Sequence, residues 1–106
     1  MLIAVSAVDG RTPTCFLPPY GSTDSQSRAT ATSLGLRVVL WDLDPQDWRT
    51  PGAATIADYV ILHARPGSVV LLHDGGGDRS QTVTAVQETV NTLIRLGYNL
   101  AAIPGC

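Results

Sequence analysis

The chain has 106 residues, 44% of them apolar and 15% charged, which fits one globular domain and excludes a disordered tail. Seven Arg and no Lys stand against eight Asp and one Glu, for a formal net charge of -2, so the basic field of a nucleic-acid binder is missing. Its longest apolar runs are about five residues, far short of the ~20 that cross a bilayer, so no membrane partner is expected.

In chain order, Met1–Val8 is apolar and closes on the turn Asp9-Gly10, as the tail of a helix or an edge strand would. It has no basic n-region, adequate h-region or cleavage site, so no signal peptide is expected. Thr14–Leu17 reads as a short strand, stopped by Pro18-Pro19, which cannot donate to a ladder. Asp24–Leu34 reads as a helix, with Ser22, Thr23 and Asp24 as N-cap candidates and Gly35 just past its end. Arg37–Leu43 reads as a strand whose continuous run Val38-Val39-Leu40-Trp41 suits a parallel strand covered on both faces.

Asp44–Gly52 is a loop, and Ala53–Ala64 a helix ended by Arg65-Pro66-Gly67. Ser68–Leu72 is a second buried strand and Asp74–Arg79 a Gly-rich loop. Ser80 is placed to cap a helix running to Leu96, with Val83, Val86, Val90, Leu93 and Ile94 at helical spacing. Gly97 closes it, and Asn99–Ile103 reads as the last strand. The result is β-α-β-α-β-α-β with short loops, which predicts an α/β fold with right-handed crossovers and a parallel sheet. Functional groups of such folds gather at the carboxyl ends of the strands. Three such ends are present, at Pro18–Gly21, Asp44–Trp48 and His73–Gly77.

His73 directly follows Val69–Leu72 and stands beside Asp74. An imidazole there suits general acid–base work; the plainer alternative is a His that caps the strand. Asp47 lies just past the neighbouring strand, where a carboxylate can accept the ring N–H of a His and fix its tautomer. Its alternative is turn chemistry, since three Asp around Pro45 are ordinary in a turn. Asp44 is placed to shape that turn, and Asp42 to face a helix layer. Trp48 is either a ring on which a sugar stacks or an anchor for its loop. Pro18-Pro19-Tyr20-Gly21 is a stiff element, able to hold a backbone N–H towards an oxyanion or to serve as a plain turn.

The loop Asp74-Gly75-Gly76-Gly77-Asp78-Arg79-Ser80 precedes a helix but matches neither Gly-x-Gly-x-x-Gly nor a Walker sequence, and its two Asp would repel phosphate. His63 reads as a partly exposed helix residue. A metal site needs three or four convergent ligands, and two His with two distant Cys give no such spacing. Cys15 and Cys106 each lie near a strand end and could be neighbours, which sequence alone does not settle.

Three ordered segments carry a resemblance: Phe16-Leu17-Pro18-Pro19-Tyr20-Gly21, then Trp41-Asp42-Leu43-Asp44-Pro45-Gln46-Asp47-Trp48, then Val70-Leu71-Leu72-His73-Asp74. With Arg79, Thr82 and Leu96-Gly97-Tyr98 behind them, they resemble the polysaccharide deacetylases, the NodB-homology domain or carbohydrate esterase family four. The resemblance covers essentially the whole chain but only the C-terminal half of the family domain, so it implies half of a distorted (β/α) barrel. It implies removal of N-acetyl or O-acetyl groups from chitin- or peptidoglycan-like polysaccharide, with a divalent metal of the zinc or cobalt type. The mechanism it implies is attack of metal-activated water on the amide carbonyl.

By the same resemblance, His73 matches the general acid that protonates the leaving amine, and Asp47 the carboxylate that holds it. Trp48 and Leu71 match residues of the acetyl pocket, and Tyr20 the residue whose backbone N–H holds the oxyanion. The family motifs that supply the catalytic base and the metal ligands do not occur here. Leu17 stands where the family usually has an Arg paired with that base. The expectation is a chain inactive by itself, with a missing N-terminal half as one possible partner. The alternative is a non-catalytic carbohydrate-binding or interaction module.

Overall fold

The computed structural model of the chain describes residues 10–106. The expectation for Met1–Val8 lies outside them. The chain divides into two compact units, one made of the described residues up to Leu40 with Ala102–Cys106, the other of Trp41–Ala101.

In the first unit, β1 (Cys15–Phe16) pairs in parallel with β2 (Arg37–Val38), in the register Cys15 to Arg37 and Phe16 to Val38. Between them run a single 3-10 turn, Pro19–Gly21, and the helix α1 (Ser25–Ser33). Asp24 is the N-cap that starts α1: its carboxylate accepts the Ser27 N–H at 2.6 Å, and the Ser27 hydroxyl accepts the Asp24 N–H at 3.0 Å. Gly35, with φ 74°, turns the chain out of α1 towards β2. Ala31 and Leu36 are buried. Cys15 and Cys106 form a disulfide with 5.5 Å between their Cα atoms. Around it the Thr14 hydroxyl donates to the Gly105 carbonyl at 2.8 Å, and the Arg37 guanidinium to that of Pro104.

The second unit is built on two helices, α2 (Ala53–His63) and α3 (Ser80–Arg95). They pack through Ile56, Ala57 and Ala85, with Ala53, Ile61 and Leu72 around them. The facing alanines let the two backbones approach closely. Leu43 and Val70 form one parallel bridge; the Val69 carbonyl accepts the N–H groups of Asp42 and Leu43, and the Leu43 carbonyl accepts that of Leu71 at 2.9 Å. This bridge sets the ends of two chain segments side by side, and the site residues follow directly after them.

The α/β class and the parallel pairing agree with the sequence-based expectation, but the strands are shorter than predicted. Arg37–Leu43 is strand only at Arg37–Val38, Ser68–Leu72 contributes one bridge, and Asn99–Ile103 joins no ladder among the described residues. A ladder needs a partner backbone at every rung, and Asn99–Ile103 divides between the two units. The inward stripe of α3 also differs. Thr82, Ala85, Thr89 and Leu93 are buried, while Val83, Val86 and Ile94 are exposed. Only Leu93 of the expected stripe is in the core.

Candidate active site

Asp47 opens a single 3-10 turn, Asp47–Arg49, flanked by Gln46 and Thr50 in the left-handed region with φ 53° and 50°. The approach is shaped by Asp44, whose carboxylate accepts the Gln46 N–H at 2.9 Å, the turn role expected of it. Asp42 does not face a helix layer; it is exposed and its carboxylate accepts the Val69 N–H, bracing the bridge.

Asp47 is 1% exposed, and both of its carboxylate oxygens accept hydrogen bonds. Its Oδ1 accepts from His73 Nδ1 at 2.7 Å, and its Oδ2 accepts the His73 backbone N–H at 2.8 Å. The Thr82 hydroxyl donates to Oδ2 at 2.9 Å. Asp47 therefore grips His73 at two points, ring and main chain. Burial pushes the Asp47 carboxyl up, but the His73 ring, the His73 N–H and the Thr82 hydroxyl outweigh it and hold the pKa below the ordinary 3.8. An ionised carboxylate accepts only, so Nδ1 carries a proton and Nε2 is the nitrogen left for chemistry. The His73 side chain is about a third exposed, so the buried carboxylate serves a ring that reaches solvent.

Trp48 follows Asp47 on the same turn, 48% exposed, with the Arg49 guanidinium 4.9 Å from its ring centroid. Leu71 is half-buried and holds the bridge through its N–H. Tyr20 belongs to the other unit, on the turn Pro19–Gly21, with φ 56° and an almost fully exposed side chain. Leu17, in that same unit, is exposed as well.

Two residues quoted in the resemblance without a role prove to be structural partners of the site. Thr82 is the third ligand of the Asp47 carboxylate. Arg79 donates from Nε to the Gly75 carbonyl at 2.8 Å, from Nη2 to that of Gly76 at 3.3 Å and from Nη1 to that of Trp48 at 3.4 Å. It ties the Gly-rich loop to the Asp47–Arg49 turn. The loop is no phosphate cradle: its carbonyls point at a guanidinium, and the Asp78 carboxylate already accepts the Ser80 N–H at 2.9 Å. The signal for Thr82 was a polar residue in phase with Ala85, Thr89 and Leu93, on the face that packs inward.

Among the described residues no group of three His, Cys, Asp or Glu side chains converges to hold a metal. His73 is committed to Asp47 through Nδ1, His63 is exposed on α2 with its Nδ1 2.8 Å from the Tyr59 carbonyl, and both Cys are in the disulfide. These residues do not fit a metal centre. No helix among them is long and apolar enough to cross a membrane.

No family model matches the sequence. The chain is 41% identical over 93 residues to a peptidoglycan-N-acetylglucosamine deacetylase of Bacillus cereus, a match covering 86% of this chain and 44% of that protein. It is 35% identical over 100 residues to a chitooligosaccharide deacetylase of Azorhizobium caulinodans, covering 84% and 48%. The solved family 4 carbohydrate esterase of Streptomyces lividans, in complex with acetate, superposes with a TM-score of 0.81 at 33% identity, over 91% of this chain and 48% of that one. The chain thus spans about half the length of the curated relatives it matches. Sequence and fold together place it in the polysaccharide deacetylase family, carbohydrate esterase family 4.

Proposed function

We propose that these residues form the acid half of a deacetylase site, the C-terminal part of a (β/α) barrel that acts on N-acetylated or O-acetylated polysaccharide of the peptidoglycan or chitin kind. The observation that carries this reading is the Asp47 grip on His73, which leaves Nε2 free. In that role the Nε2 proton passes to the leaving amine nitrogen as its bond to the acetyl carbon breaks. Asp47 stays ionised throughout and stabilises the imidazolium before the proton leaves. The Trp48 ring and Leu71 side chain give the acetyl methyl an apolar wall, and the family resemblance assigns the donor for the carbonyl oxygen, as it gains charge, to the Tyr20 N–H.

The family resemblance implies a divalent metal and a carboxylate base, and the described residues hold no group for the metal. We therefore infer that both come from a separate half, and that the chain does not turn over alone. Acetate release from an N-acetylated chitin oligomer tests this, with zinc or cobalt added. The chain alone should stay at background, and mixing it with the metal-binding N-terminal half of a family member should raise the rate. Turnover by the chain alone contradicts the reading, and so does a folded pair that stays at background.

A second reading, a non-catalytic carbohydrate-binding module, rests on the half-exposed Trp48 ring. It predicts saturable quenching of Trp fluorescence by chitin or peptidoglycan oligomers, lost in Trp48→Ala; an unchanged titration removes it.

A further inference from the structure

Thr82 lies in the first turn of α3 and is 4% exposed. A helical Thr commonly returns its single hydroxyl proton to the carbonyl four residues back. Thr30 does so to Gln26 at 2.9 Å, and Thr32 to Arg28 at 3.0 Å, both on α1. Thr82 is the third residue of α3, where the residue four back, Asp78, lies outside the helix, and its hydroxyl donates across to Asp47 Oδ2 at 2.9 Å.

The consequence follows from the carboxylate's own freedom. The last torsion of an Asp side chain is broad and two-fold, so its plane is set by donors and not by a rotamer well. The His73 backbone N–H and ring N–H both belong to one residue and would move with it. Thr82 is the donor from a different element, anchored in the face of α3 that carries Ala85 into the core. It holds Oδ2 against the helix, which keeps Oδ1 on the ring.

We propose that Thr82 is a positioning residue for the acid: its hydroxyl fixes the Asp47 carboxylate so that His73 keeps its proton on Nδ1 and presents Nε2. The proposal deepens the deacetylase reading above and rests on it for the ring's purpose. Its test reads the ring itself, so failure here and failure of that reading are separate results.

Long-range proton–nitrogen NMR spectra of the labelled chain report the tautomer of His73 on the alkaline plateau. Wild type and Thr82→Ser, which keeps the donor, should both show the Nδ1–H form as the main species. Thr82→Val and Thr82→Ala cannot donate, and should shift the ratio about tenfold towards Nε2–H, the loss of one charge-assisted hydrogen bond. Val fills the space of Thr and Ala leaves a gap, so one of them carries the test if the other does not fold. A folded Val or Ala variant with the wild-type ratio overturns the proposal. A Ser variant as altered as the Ala variant overturns it too, because the effect would then follow volume and not the hydroxyl.

Discussion

Asp47 is a buried charge that stays charged, and its three donors explain why. The folded state holds this carboxyl below its usual 3.8. A group depressed on folding lends stability above its unfolded pKa and loses it as pH falls through the folded one. Stability should therefore hold above about pH 4 and decline as pH falls further. Asp24 and Asp78 are lowered in the same sense by N–H groups at helix starts, so acid sensitivity is shared. Urea midpoints at neutral pH and near pH 3 should converge more closely in Asp47→Ala than in wild type; an equal acid loss in both would contradict the assignment. At neutral pH Asp47→Asn should cost about 1–3 kcal/mol, because the amide cannot accept from both His73 and Thr82 without presenting N–H to a donor. The pairing of His73 with Asp47 was legible in the sequence because each stands past an apolar run that reads as a strand. Thr82 was quoted in the resemblance without a role, because a Thr on a helix reads as neutral until the partner across the packing face is known.

At the scale of elements, helix ends were the most legible features, since they are written locally. Asp24 caps α1 as one of three residues expected to do so, and Gly35 and Gly97 take the positive φ that ends a helix. Strands depend on partners far along the chain: the runs Val38–Trp41 and Val69–Leu72, expected to be covered on both faces, are only half-buried, with Leu40 exposed, and apolarity alone does not say how many rungs will form. The phase of α3 was misread for a related reason. Valines outrank Thr and Ala in apolarity, yet close packing against α2 favours small side chains at the contact. Ala85→Leu should thus destabilise by about 1–3 kcal/mol through overpacking. Val83→Ser, at a position 68% exposed, should change stability by less than about 0.5 kcal/mol. Denaturant unfolding checks both, and a larger cost for Val83→Ser would mean that the valine stripe faces the core after all.

For the whole molecule, the disulfide joins β1 to the last residue and spans a sequence separation of 91, enclosing all of the second unit. Closing so long a loop removes unfolded-state entropy worth about 4–5 kcal/mol by the chain-entropy estimate. The Cys15→Ser, Cys106→Ser double variant, or reduction of the wild type, should lower Tm by many degrees; an unchanged Tm would show that the bond adds nothing. Cysteine spacing alone left this pairing open, because only the packing of the C-terminal residues beside β1 brings the two Sγ atoms together.

The central claim is the proposal that His73, gripped by Asp47, is the acid of a deacetylase site whose metal ligands and base come from a separate half. Acetate release by the chain combined with the metal-binding half of a relative tests it most directly, comparing wild type with His73→Ala at equal folded concentration. Loss of a general acid predicts a fall of about 10²–10⁴-fold in kcat. A combined site that releases acetate equally fast without the His73 imidazole would contradict the claim.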